Sequence, residues 1–181
     1  MKPTLKELLE YADEWLKTNW EYGRPPLLMG ITEESEIVFI PLVFRDYKEK
    51  QNALINARIA FAVFGVDRYL SISESWMSFA KPSADIIPTP SRDPNRTEVV
   101  MALAVDRNGT DGQVYTISNG LLEKMPSDEE VSSFSGTFTE LLPEESKRIP
   151  KLLRDELFRK LKHHFKREQF KFVRGGKNDD Q

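Results

Sequence analysis

The segment Thr97–Asp106, TEVVMALAVD, constrains the fold most, because apolar side chains occupy both faces of what reads as a β-strand. A strand that is apolar on both faces is typical of a sheet whose two faces are both covered. We therefore expect this strand to lie centrally in a sheet, with helices packed on the faces of that sheet.

Helix-start patterns predict two helices on either side of the first strands. Thr4 and Glu7 form a capping box, in which each side chain bonds a free backbone amide of the first turn. Asp46 and Glu49 repeat the pattern further along the chain. Gly65 is expected to end the second helix, because glycine adopts the left-handed conformation without a side-chain clash.

Strand-sized apolar or alternating segments surround the second helix. Leu27–Ile31 and Ile37–Phe44 predict a hairpin, and Tyr69–Phe79 and Gln113–Ser118 predict strands beside Thr97–Asp106. The fold class is therefore α+β, with a single mixed or antiparallel sheet of about five strands. The predicted order is α-β-β-α-β-β-β, then an irregular segment, then a helix.

The charge divides the chain into an acidic body and a basic C-terminal block. Residues 1–146 hold 14 Lys and Arg against 24 Asp and Glu, whereas residues 147–177 hold 12 against 3. We predict a core domain over 1–145, a basic amphipathic helix over 146–174 and a disordered tail over 175–181. The candidate basic surface comprises Lys147, Arg148, Lys151, Arg154, Arg159, Lys160, Lys162, Lys166, Arg167, Lys171 and Arg174.

Three roles remain open for this basic segment. Its apolar side can dock on the domain while its charges offset the acidic body. It can bind nucleic acid through phosphates, helped by Phe165, Phe170 and Phe172, although the pI of about 5.6 is low for such a protein. It can also dock on an acidic protein partner or on another copy of the chain.

The residues of cofactor and metal chemistry are sparse. The chain has no cysteine, and its two histidines, His163 and His164, are adjacent, so on a helix they point about 100° apart. No Walker or dinucleotide-binding glycine pattern is present. We predict no cofactor and no histidine-based metal site, name no catalytic residue, and leave open an all-carboxylate magnesium site.

Glu74 is the most unusual single residue. Period-2 geometry places it on the same strand face as Leu70 and Ile72, so a carboxylate lies beside apolar residues. If that face is the core side, Glu74 must be paired or its pKa raised. The alternatives are a structural ion pair, or a strand whose serine face packs inward. The candidate polar cluster comprises Glu74, Arg92, Arg96 and Glu98.

Two motifs resemble an uncharacterised family of phage and bacterial proteins. The first is the Glu-x-Trp-Met strand at Glu74, Trp76 and Met77. The second is the Pro-x-Arg-x-Glu-Val strand that begins at Pro94. The resemblance covers about residues 10–118 and implies a phage or bacterial source, but no activity.

These observations favour a non-enzymatic accessory or interaction protein that acts through protein contacts or self-association. A nucleic-acid-associated protein using residues 147–174 is the alternative, and an enzyme with a carboxylate site near Glu74 is the third possibility. No apolar run approaches the roughly 20 residues that span a bilayer. We therefore expect no membrane association and a cytoplasmic location, which would be the host cytoplasm if the protein is viral.

Overall fold

The computed structural model describes three helices and seven strands within residues 2–21, 23, 26–78, 93–126, 138–144, 149–161 and 171–173. The helices are α1 (Leu5–Asn19), α2 (Tyr47–Phe64) and α3 (Lys151–Leu161). The strands are β1 (Leu27–Thr32), β2 (Ile37–Pro41), β3 (Val66–Met77), β4 (Thr97–Asp106), β5 (Thr110–Ser118), β6 (Leu121–Lys124) and β7 (Lys171–Val173).

The strands form one antiparallel sheet, so the predicted α+β class is confirmed. Six strands lie in the order β6-β5-β4-β3-β1-β2, and the short β7 extends the sheet beyond β2. The central pair, β3 and β4, runs in continuous register from Arg68 opposite Asp106 to Met77 opposite Thr97. The strand predicted to be central, Thr97–Asp106, therefore lies where its apolar faces require.

The first capping box forms as predicted, but in the second the Glu49 carboxylate accepts a hydrogen bond from the Arg45 amide rather than from the Asp46 amide. The Thr4 side chain accepts a hydrogen bond from the Glu7 backbone amide, and the Glu7 carboxylate accepts one from the Thr4 amide. The Asp46 carboxylate caps α2 through the amide of Glu49. Gly65 ends α2 in the left-handed conformation, with φ of 68°.

The two helices cover opposite faces of the sheet and so create two cores. Helix α1 packs on the face that includes Leu70 and Ile72. Helix α2 packs on the other face and approaches it closely, because a Cβ at Gly30 would lie only 2.9 Å from the Phe61 ring. The α1 core is formed by Leu8, Leu9, Ala12, Leu16, Met29, Ile31, Leu70, Ile72, Val100, Ala102, Ala104 and Tyr115. The α2 core is formed by Leu28, Val38, Ile40, Leu42, Leu54, Ala57, Ala60, Phe61, Val66, Tyr69, Val105 and Leu141.

The structure corrects two parts of the predicted order. Strand β6 lies within the segment expected to be irregular, and it pairs with β5 through a two-residue turn at Asn119 and Gly120. The end of the predicted basic helix is instead strand β7, which pairs with β2. Phe172 and Val173 are residue types that favour strands, and the outer edge of β2 offers backbone partners. The predicted tail over 175–181 lies outside the described residues.

Candidate functional site

Strand β3 extends past the end of β1, and this overhang contains Glu74. The last pair between the two strands is Leu27 opposite Ile72, so Ser73–Met77 continue along β4 alone. Glu74 is half-buried, and its Oε1 accepts a hydrogen bond of 2.7 Å from the Gly23 backbone amide. A backbone amide, rather than an arginine, therefore pairs with this carboxylate among the residues that the structure describes.

Two other members of the predicted polar cluster lie further along the overhang. The Arg96 guanidinium stacks over the Trp76 ring at 4.1 Å from its centroid. Glu98 faces Trp76 directly across the β3–β4 register. Arg96 and Glu98 thus gather around Trp76 rather than around Glu74, while Arg92 lies outside the described residues.

A cleft of about 330 Å³ opens beside Glu74, between the overhang of β3 and the first turn of α2. We call this the β3 cleft. Its volume lies at the lower end of the range typical of ligand sites. It is lined by Gly23, Pro26, Leu42, Val43, Phe44, Lys50, Ser73, Glu74, Ser75 and Phe138.

Lys50 is the positive group of the β3 cleft. Its ammonium lies 5.2 Å from the centroid of the Phe138 ring and 5.8 Å from that of Phe44. Both distances fall within the range of cation–π attraction. Within the described part of the chain, no carboxylate forms an ion pair with Lys50.

Serine hydroxyls form one wall of the cleft. Ser71, Ser73 and Ser75 alternate along β3 and so share the face that α2 covers. Ser71 and Ser73 are buried, and the Ser71 hydroxyl has no hydrogen-bond partner among the described atoms. Ser73 and Ser75 reach the cleft itself, where their hydroxyls can donate or accept hydrogen bonds.

Tyr69 fixes the segment that supplies Phe138. The Tyr69 hydroxyl donates a hydrogen bond of 2.6 Å to the Phe138 carbonyl and accepts one of 3.4 Å from the Leu141 amide. Burial raises the pKa of the Tyr69 phenol well above its usual value. A neutral, buried phenol on the central strand thus positions one aromatic wall of the β3 cleft.

The basic helix α3 docks on the domain through ion pairs. Arg154 pairs with Glu33 at 3.0 Å, and Lys151 pairs with Glu34 at 3.1 Å, both in the turn between β1 and β2. Lys160 pairs with Glu156 on α3 itself. The structure therefore gives these three basic side chains acidic partners within the chain.

The remaining residues of the predicted basic surface are distributed as follows. Arg159 lies on α3 and donates to the Asp155 carbonyl, and Lys171 begins β7. Lys147, Arg148, Lys162, Lys166, Arg167 and Arg174 lie outside the described residues.

The described parts of the chain contain neither a metal-binding cluster of side chains nor a membrane-spanning helix. No group of three His, Cys, Asp or Glu side chains there is arranged to hold a metal ion. No helix there has the length and apolar character needed to cross a bilayer.

The sequence predictions missed Lys50, Phe44 and the cleft itself. One local signal could have located Lys50. The cap at Asp46 fixes where α2 begins and so places Lys50 on the first turn of the helix, beside the preceding loop that contains Phe44. Phe138 was missed because its place in the cleft depends on the hydrogen bond between its carbonyl and the Tyr69 hydroxyl. Tyr69 lies 69 residues earlier in the sequence, so no local pattern predicts the contact.

No protein-family model matches the chain, and no curated protein or solved structure shows significant similarity to it.

Proposed function

We propose that this chain is a non-enzymatic interaction protein that binds a protein partner at the β3 cleft. The observation that carries the proposal is an exposed apolar rim beside the cleft. Val43 lines the cleft and is 71% exposed, and Tyr47 is 76% exposed. Tyr47 lies one helical turn before Lys50 and therefore on the same side of α2. We call Val43 and Tyr47 the apolar rim.

Exposed apolar and aromatic side chains around a concave site are typical of protein-binding surfaces. In the free chain, the exposed side chains of Val43 and Tyr47 contribute little hydrophobic stabilisation. A partner that covers them removes their apolar surface from water, and this favours binding. Tyr is also among the residues that most often dominate binding energy at interfaces. The apolar rim thus supports a macromolecular partner rather than a small polar metabolite.

The nucleic-acid alternative has less support from the geometry. Phosphate binding requires basic side chains that face outward from the protein. Arg154 and Lys151 instead pair with the acidic turn between β1 and β2, and Lys160 pairs within its own helix. These pairs favour a docking role for α3.

Affinity capture with matched variants tests the proposal. The wild-type chain, the rim variant V43D/Y47D and the control variant I55D/I59D are used to capture partners from an extract of the source cells. Ile55 and Ile59 are also exposed and lie on the same helix, at 49% and 45% exposure. Circular dichroism and thermal unfolding first establish that all three chains fold.

We expect a partner that the wild-type and control chains retain and the rim variant loses. Purified partner then gives a dissociation constant for each variant, and we expect the rim substitutions to weaken binding by at least about tenfold. Equal binding by rim and control variants would refute the proposal. Salt-sensitive binding of duplex DNA by all three chains would support the nucleic-acid alternative.

A further inference from the structure

The turn between β4 and β5 holds Arg107 beside a second cleft. The Asp106 carboxylate accepts hydrogen bonds of 2.7 Å and 3.1 Å from the amides of Asn108 and Gly109. The Asp106 amide in turn donates one of 3.0 Å to the Gly109 carbonyl. An aspartate that bonds the amides following it is a recurrent way of closing a turn. The backbone on both sides of Arg107 is therefore held by hydrogen bonds.

Residues 139–143 form the opposite wall of this cleft, and the core holds them in place. Leu141 is fully buried, and its amide donates to the Tyr69 hydroxyl. The Arg58 guanidinium donates a hydrogen bond of 3.0 Å to the Glu140 carbonyl. The turn and this wall enclose about 530 Å³, a volume typical of small-molecule sites. We call this space the turn cleft; it shares no lining residue with the β3 cleft.

Arg107 lines the turn cleft and has no counter-ion among the described residues. Its side chain is half-buried, and its Nε is buried without a hydrogen-bond partner. Two neighbouring carboxylates bond other groups, because Asp106 accepts from the turn amides and Glu33 accepts from Arg154 at 3.0 Å. A buried donor without a partner is rare in folded proteins, and a desolvated charge is costly unless it is paired. An anion on the terminal nitrogens of the guanidinium would offset this cost.

The other lining residues restrict the kind of anion. Part of the lining is apolar and consists of Val105, Leu142 and Pro143. Glu140 is exposed and also lines the cleft, so a second negative charge on the ligand would meet repulsion. The planar guanidinium matches the geometry of a carboxylate, which can accept two parallel hydrogen bonds from it. This combination favours a ligand with one negative charge and an apolar body.

We propose that the turn cleft binds a small organic monocarboxylate, whose carboxylate pairs with the Arg107 guanidinium and whose apolar body lies against Leu142 and Pro143. This ligand site goes beyond the proposed function, because it lies apart from the β3 cleft and does not require the protein partner.

Titration of the ¹⁵N-labelled full-length chain, followed by nuclear magnetic resonance, tests the inference with three probes. Benzoate carries one negative charge, benzamide is its neutral counterpart, and phenyl phosphate is largely dianionic at neutral pH. We expect benzoate to shift the Arg107 Nε–H signal and the backbone amide signals of Arg107 and Asn108. Benzamide should bind at least about tenfold more weakly, because it forms no charge-assisted pair. Phenyl phosphate should also bind more weakly than benzoate, because its second charge meets Glu140.

Three variants link the binding to Arg107. R107M removes the charge, R107K keeps the charge without the planar fork, and the control R45M alters an exposed arginine outside the turn cleft. Circular dichroism first establishes that all three fold. We expect R107M to weaken benzoate binding at least about tenfold, R107K to weaken it less, and R45M to bind like the wild type.

The inference is wrong if benzoate leaves the signals of Arg107 and Asn108 unchanged, or if R107M binds benzoate as tightly as R45M does. Benzamide that binds as tightly as benzoate would refute the charge pairing. Phenyl phosphate that binds as tightly as benzoate would refute the assignment of a monocarboxylate. None of these results bears on binding of the protein partner at the β3 cleft.

Discussion

The carboxylate of Glu74 accepts a hydrogen bond of 2.7 Å from the backbone amide of Gly23. The two residues are 51 positions apart, and the bond joins the chain that leaves α1 to the overhang of β3. It fixes one margin of the β3 cleft, so the unusual carboxylate identified in the sequence has a definite structural role.

Replacement of Glu74 by Ala should therefore destabilise the fold. We expect the free energy of unfolding to fall by about 1.5–3 kcal/mol, the scale of one hydrogen bond to a charged acceptor. Glu74→Gln retains an oxygen acceptor and should cost less. Urea denaturation measures both changes, and equal stability of the Ala variant and the wild type would show that the bond to Gly23 contributes nothing.

Tyr69→Phe should loosen the segment that supplies Phe138. The substitution keeps the ring packed against Phe61 but leaves the Phe138 carbonyl and the Leu141 amide without their hydroxyl partner. We expect a loss of about 1–3 kcal/mol in the free energy of unfolding, together with weaker partner binding. Denaturant titration and calorimetry measure the two effects. An unchanged stability would contradict the assigned role of the hydroxyl.

Alkaline pH should destabilise the protein through its buried phenols. Burial raises the pKa of Tyr69, and burial together with the nearby carboxylate of Asp13 raises that of Tyr115. Above about pH 10 the unfolded chain releases these protons while the folded chain holds them, so stability falls as pH rises. Thermal unfolding between pH 8 and 11 should show a smaller decline for Y69F than for the wild type. Parallel declines would contradict the shift at Tyr69.

Gly65→Ala should disturb the docking of α3. A Cβ at Gly65 would overlap the Arg154 guanidinium, whereas a Cβ at Gly120 would meet open space at a similar positive φ. Gly120→Ala therefore isolates the backbone strain, about 1–2 kcal/mol, and Gly65→Ala should cost more because it also displaces Arg154 from Glu33. Thermal unfolding compares the two variants. Equal losses would mean that Arg154 moves aside at no cost, and R154A in the G65A background provides a further check.

The sequence predicted the elements whose signals are local. The cap at Thr4 and the end of α2 at Gly65 follow from side chains within one helical turn. The bounds of the strand Thr97–Asp106 were predicted as observed. Its central position was predicted because a strand that is apolar on both faces needs cover on both sides of the sheet. The carboxylate of Glu74 was singled out by the same alternation that places it beside Leu70 and Ile72.

The missed elements depend on turns and distant pairing. Asn119 and Gly120 form an Asn-Gly pair, which is a strong hairpin signal, and both adopt positive φ. Strand β6 could therefore have been predicted from the sequence. Strand β7 is different, because Lys171–Val173 are strand only through their pairing with β2. The β3 cleft likewise arises where separate segments meet, with Lys50 and Phe138 brought together by the tertiary fold.

The dissociation constants of the purified partner for the wild type, V43D/Y47D and I55D/I59D test the central claim most directly. Isothermal titration calorimetry at physiological salt measures all three on folded chains. Our account predicts that the rim variant binds at least about tenfold more weakly than the wild type, while the control variant binds equally well. Equal constants for the rim variant and the wild type would contradict a protein-binding role for the β3 cleft.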